Sequence, residues 1–174
     1  AVDDPSGVNL FLLASILLSV SLIPILLTEI KAPDAEIQES LGIKALWKAS
    51  PTGLITIGVS GLASAGFFGV GTIYAIKAGL NVSETALFMT LFIGFGAASQ
   101  LPLGWLSDKI DRRKVILLCC VMVTSICVLL SIFEFSKTVF LILNGLIGAS
   151  TLPLYSLGVA QTNDRLKPNQ MVSA

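Results

Sequence analysis

Histidine is absent from this chain and charge is scarce, with 11 basic and 11 acidic side chains among 174 residues. The first absence removes the side chain that titrates nearest neutral pH, so histidine metal sites, a histidine general base and a Ser-His-Asp triad are excluded. A formal net charge of zero gives no polyanion-binding surface, and nucleic acid is not an expected partner. Cysteine is also sparse: Cys119, Cys120 and Cys127 fall within one apolar run without Cys-x-x-Cys spacing, where a thiol behaves as a small hydrophobe. No metal and no cofactor is expected. The glycines between Gly66 and Gly71 lack the spacing of a nucleotide loop.

What the chain has in their place is length without charge. Hydrophobic residues make up 54% of it, charged ones 13% against about 25% in soluble domains, and the mean hydropathy is +0.87. Five uncharged stretches of 19 to 28 residues lie within Pro5–Thr28, Ala49–Ile76, Thr85–Ser107, Val115–Phe133 and Thr138–Asn163. Each approaches the roughly 20 residues with which a helix crosses a hydrocarbon core of about 30 Å. A soluble domain of this size has too little interior to hide all five. The expected fold is therefore all-α, a polytopic helical bundle in a membrane.

Orientation follows from the basic residues. Alternating the connections between faces puts Lys31, Lys44, Lys48, Lys109, Arg112, Arg113, Lys114, Arg165 and Lys167 on one side, and only Lys77 and Lys137 on the other. Nine against two assigns the first side to the cytoplasm by the positive-inside bias. Segments 31–50, 104–114 and 163–170 are then cytoplasmic, in a multi-pass protein of a bacterial inner or plasma membrane. The chain opens at Ala1 without an initiator methionine or a basic signal-peptide region, and Pro168–Ala174 resumes an uncharged run, so it reads as a piece of a longer protein.

Local signals refine the spans. Ser50-Pro51 marks a helix start, and Asn81 and Ser83 can cap the next helix, although Asn81-Val82-Ser83 also matches a glycosylation acceptor. Ile37, Leu41, Ala45 and Trp47 suit either a short interfacial helix or an irregular linker. Glycine allows helices to approach closely; Gly61, Ala65 and Gly69 form a seam at four-residue spacing, and Gly145 and Gly148 offer another. Spans one and four, poor in glycine, are expected at the periphery.

Polar side chains inside a span are costly unless they face protein or water, which makes Tyr74, Gln100, Asn144, Tyr155 and Gln161 candidates. Asn144, beside Gly145 and upstream of Pro153, suits either a substrate contact or an interhelical hydrogen bond; Gln100 suits packing near Gly104. No acidic or basic residue lies deep in a span, so no carboxylate here can carry a proton across. The stretch Gly104–Lys114 holds six charged residues and reads as a tight loop at a membrane face. Asp108 there sits at a helix C-terminus, where the dipole disfavours a carboxylate, so it needs Arg112, Arg113 or a facing helix N-terminus as partner. The alternative is a solvated turn whose basic residues touch anionic lipid, at about 1 kcal/mol each. Asp164 and Arg165 read as an ion pair or a helix cap.

Gly104, Asp108, Lys109, Arg112 and Arg113 resemble the signature loop of the major facilitator superfamily of secondary transporters, with Asp111 standing in place of that signature's second glycine. Leu152-Pro153-Leu154-Tyr155-Ser156-Leu157 and Asn163-Asp164-Arg165-Leu166 look similar to its YcaD-like branch. The resemblance implies a 12-helix transporter in which this loop latches one bundle against the other. It implies residues 1–30 as the last helix of the first half, 31–50 as the central linker, and 51–174 as the first four helices of the second bundle (51–76, 84–106, 115–133 and 138–162). These are helices six to ten.

The implied function is transport of a small solute by alternating access, ion-coupled or as efflux, with the lipid bilayer and the remaining helices as partners and with Asn144, Tyr155, Gln100 and Tyr74 along the substrate path. A five-span subunit packing in a larger assembly is the non-transport alternative. An enzyme is not expected, because no catalytic polar set lies at membrane depth. With the native cysteines replaced, Arg113→Cys should react with a membrane-impermeant maleimide in inverted vesicles and not in intact cells; labelling from the cell exterior would overturn this topology.

Overall fold

In hydrocarbon no water is present to pair with exposed peptide groups, so each uncharged run must satisfy its own backbone, and a helix does so within one segment. The computed structural model describes residues 8–27 and 42–166, and every regular element among them is helical. They are α1 (Val8–Leu26), α2 (Ile43–Ala49), α3 (Pro51–Lys77), α4 (Val82–Lys109), α5 (Arg112–Ile132) and α6 (Lys137–Asn163). Four of them, α3 to α6, are long and apolar enough to cross a membrane. The first expected span is the helix α1, whose described apolar stretch, Phe11–Pro24, is shorter than that.

The chain divides into two units, residues 1–36 and 37–174. In the first, the hydroxyls of Ser15, Ser19 and Ser21 donate to carbonyls one turn back, at 2.8, 2.9 and 2.7 Å, so α1 carries its serines without outside partners.

In the second unit the helix ends are set by local chemistry. Ser50 caps α3, accepting from Gly53 N at 3.3 Å, and Pro51 takes the first helical position, where its missing N–H costs nothing. Asn81 and Glu84 form a reciprocal capping box at 2.9 and 2.8 Å, so capping is the use this structure makes of Asn81. Of the segment read as interfacial helix or linker, residues 43–49 form α2; Ile37 and Leu41 lie outside the described residues.

One expectation is corrected. The stretch Gly104–Lys114 is not a loop: α4 continues to Lys109, α5 begins at Arg112 with Asp111 as its N-cap, and only Ile110 and Asp111 separate them. Counting uncharged residues ended the spans too early, because helices run on into charged turns at an interface. All four long helices extend one to three residues past at least one expected boundary.

α6 is the centre of this unit. Its most apolar window is 44% buried, against 11% to 22% for the other three, and it packs against α3, α4 and α5. α5 meets it along one face through Val115, Ile116 and Cys119 against Leu154 and Leu157, while Leu117, Leu118, Val121 and Val128 stay exposed. Stacked phenylalanines join α3, α4 and α6 nearer the Lys137 end, with Phe67 and Phe92 centroids 3.5 Å apart and Phe88 and Phe140 5.6 Å apart.

Glycine sets how closely these helices approach. A methyl group on Gly148 would overlap the Phe92 backbone carbonyl, one on Gly96 would lie 3.0 Å from Gly148 O, and one on Gly145 would strike the Phe95 ring. Gly53 and Gly158 do the same for α3 and α6, a Cβ on Gly53 lying 2.9 Å from Gly158 O. Gly61 and Gly69, by contrast, have nothing within 4 Å of such a carbon. Their seam meets no described helix. Adding bulk where backbone blocks it costs about 1–3 kcal/mol. Gly148→Ala should therefore lower the melting temperature in detergent by several degrees and Gly58→Ala, with nothing in reach, should not; equal effects would contradict the packing described.

Candidate functional site

Three helix ends converge on one guanidinium. Arg112 is the first residue of α5, where a cation faces the positive end of its own helix dipole. Its Nη2 donates to Asp108 Oδ1 at 3.0 Å, and its Nε lies 3.5 Å from Asp164 Oδ2. Asp108 stands in the last turn of α4 and Asp164 caps the C-terminus of α6, so each carboxylate faces the negative end of its own helix. Every charge in the cluster is disfavoured by the helix that carries it and favoured by its neighbours.

Of the partners considered for Asp108, the structure selects Arg112. For Asp164 it selects Arg112 over Arg165, a pairing across 52 residues that no local pattern announces. The two arms of Arg112 are unequal. The Asp108 contact is a hydrogen bond, whereas Nε is buried without a hydrogen-bond partner, its approach to Asp164 being an ion pair only. The arginine side chain is 14% exposed and the carboxylates 73% and 54%, so the cluster is shielded on one side and wet on the other.

The other signature residues lie around it without joining it. Lys109 Nζ stands 3.6 Å over the Trp105 ring. Arg113 is exposed, and its backbone N–H donates to Asp111 Oδ1 at 3.0 Å. Gly104 is half-buried, and a Cβ there would meet nothing within 4 Å. A cavity of about 420 Å³ opens at this end, lined by Ser107, Asp108, Arg112, Gln161 and Asp164 among others.

A second, apolar cavity of about 350 Å³ lies among α3, α4, α5 and α6. Its wall includes Phe67, Phe88, Phe92 and Phe140, and two of the four expected pathway residues, Tyr74 and Asn144. Asn144 is 2% exposed, and its Nδ2 donates to Phe88 O at 2.7 Å, joining α6 to α4. This is the interhelical bond weighed from the sequence. Thr151, also in the wall and buried, has a hydroxyl without a hydrogen-bond partner, unlike Thr56, Thr90 and Thr162, which donate one turn back. Gln100 and Tyr155 are exposed and line neither cavity.

Two contacts between helices, neither expected from the sequence, tie them together. Ser50 Oγ donates to Gln161 O at 3.3 Å between α3 and α6, and Ser99 Oγ donates to Ala149 O at 2.7 Å between α4 and α6. A signal existed for the second: Pro153 has no N–H to give the carbonyl four residues earlier, which leaves that carbonyl free for a donor on a facing helix. Among the described residues no group of three or more metal-ligating side chains occurs.

Comparison with known proteins finds relatives among membrane transporters. The chain is 24% identical over 159 residues to an uncharacterized MFS-type transporter YcaD of Escherichia fergusonii, covering 90% of this chain and 41% of that protein. It is 25% identical over 154 residues to the YcaD proteins of Escherichia coli O139:H28 and of Shigella flexneri, covering 87% of this chain and 39% of each. It thus spans about two-fifths of the length of these curated relatives. No solved structure matches it. The family model described as Major Facilitator Superfamily matches residues 53–174, from the first turn of α3 through the three-helix charge cluster and α6, and the chain belongs to that superfamily.

Proposed function

We propose that this chain forms part of a transporter that moves a small solute by alternating access, and that the Arg112 cluster is the latch of its cytoplasmic face. On this reading residues 8–27 belong to helix six and α3 to α6 are helices seven to ten. The observation that carries the proposal is the single guanidinium bridging the ends of α4, α5 and α6.

A latch must hold one state without trapping it. Exposed ion pairs contribute about 0–1 kcal/mol, and both carboxylates here stay largely in water. The net tie is small, as a rocking bundle requires. Arg112 keeps one arm hydrogen-bonded while the other is an ion pair only, so the α6 end can part from α5 before the α4 end does.

Tyr74 and Asn144, from the wall of the apolar cavity, and Gln100 and Tyr155, on exposed surfaces that further helices of the transporter would face, are the side chains we assign to the solute path. The Thr151 hydroxyl, which has no partner, adds a polar contact at the cavity wall. No carboxylate among the described residues lines that cavity, so a coupled proton, where one is used, is carried by other helices.

In the full-length protein, Asp108→Asn should reduce solute flux in proteoliposomes roughly fivefold, the rate equivalent of about 1 kcal/mol, while insertion and abundance stay at wild-type levels. Flux unchanged at equal abundance would rule out the latch.

A further inference from the structure

α6 stays helical through the fully buried Pro153, and only its hydrogen-bond ladder has a break there. The ring nitrogen has no hydrogen, so the Ala149 carbonyl loses its partner one turn later in the helix. In a membrane interior that vacancy is costly, and it is filled from outside the helix: Ser99 Oγ on α4 donates to Ala149 O at 2.7 Å. The same oxygen lies 2.9 Å from the carbonyl of Gly96, its own helix's residue three positions earlier. A hydroxyl has one proton, so Ser99 has one donation to divide between two acceptors.

The setting makes this choice consequential. Gly96 and Gly148 place α4 and α6 in backbone contact at the same level, so a small slide of one helix past the other changes the Ser99–Ala149 distance directly. The segment of α6 before the break carries Asn144 and the cavity wall; the segment after it carries Gln161 and Asp164.

We infer that Ser99 is a positioning residue that splints α6 across its proline break, and that turning its O–H from Ala149 O to Gly96 O releases the helix to bend. In the splinted state the two segments of α6 move as one, and displacement of Asp164 is carried to Asn144. In the released state the Ser99 hydroxyl stays hydrogen-bonded, to Gly96 O, and only the Ala149 carbonyl goes without. This rests on α6 moving during transport, and the experiment below requires no solute.

The test is a double-mutant cycle in the full-length protein, with native cysteines replaced and spin labels at Val139→Cys and Asn163→Cys on the two ends of α6. Ser99→Ala should shift the population between straight and bent distances roughly threefold to tenfold, the worth of one net hydrogen bond. Ser99→Thr, which keeps the hydroxyl, should match the parent. Pro153→Ala returns an N–H to Ala149 and should leave a single narrow distance. Ser99→Ala added to Pro153→Ala should then change nothing further. An equal effect of Ser99→Ala with and without the proline overturns the inference, as does a lowered melting temperature with no change in distances. Because distances and flux are read separately, a splint can hold while Asp108→Asn leaves flux unchanged, and the latch can hold while the cycle is additive.

Discussion

Arg112 is a cation placed at the wrong end of its helix, and two carboxylates, Asp108 and Asp164, are placed at the wrong ends of theirs. Each position is mildly unfavourable alone and is offset where the three helix ends meet. That mutual compensation fixes how α4, α5 and α6 converge at one face. It also keeps the fixing weak, because two of the three groups remain largely in water.

Away from that face the helices are held by different means. Apolar contact supplies little net attraction between helices in lipid, so close packing at glycine and satisfied polar groups must do it. Gly96 and Gly148 bring α4 onto α6, Gly53 and Gly158 bring α3 onto α6, and Asn144, Ser99 and Ser50 each send a hydrogen bond across one of these contacts. α6 takes part in all of them. It is the most buried span and, like α4 and α5, runs from the charged end to the cavity wall, so a proline break within it bears on both.

Fold class was legible because uncharged runs of this length have few other uses, and the caps at Ser50 and Asn81 lay in plain local patterns. The loop was misread for a physical reason: charge density marks the interface and does not end a helix, so Gly104–Lys109 stayed helical. Glycine spacing suggested a seam without identifying the helix that meets it, and Gly61 and Gly69 remain open while Gly145 and Gly148 are in contact. Asp108 could be assigned a basic partner from four residues away, but Asp164 could not be matched to Arg112, nor Ser99 to Ala149, because such pairs exist only once the helices cross. Family membership, resting in sequence on five residues of the charged stretch and a weaker ten in and after the last span, extends by comparison over residues 53–174.

If the Arg112 cluster governs access, its loss must be felt away from the ion pairs themselves. The most direct measurement is the labelling rate of Tyr155→Cys, an exposed position on α6, by an impermeant reagent applied separately to each side of the full-length protein. The account predicts that Arg112→Ala changes the ratio of the two rates several-fold while total protein in the membrane is constant. An unchanged ratio would contradict it.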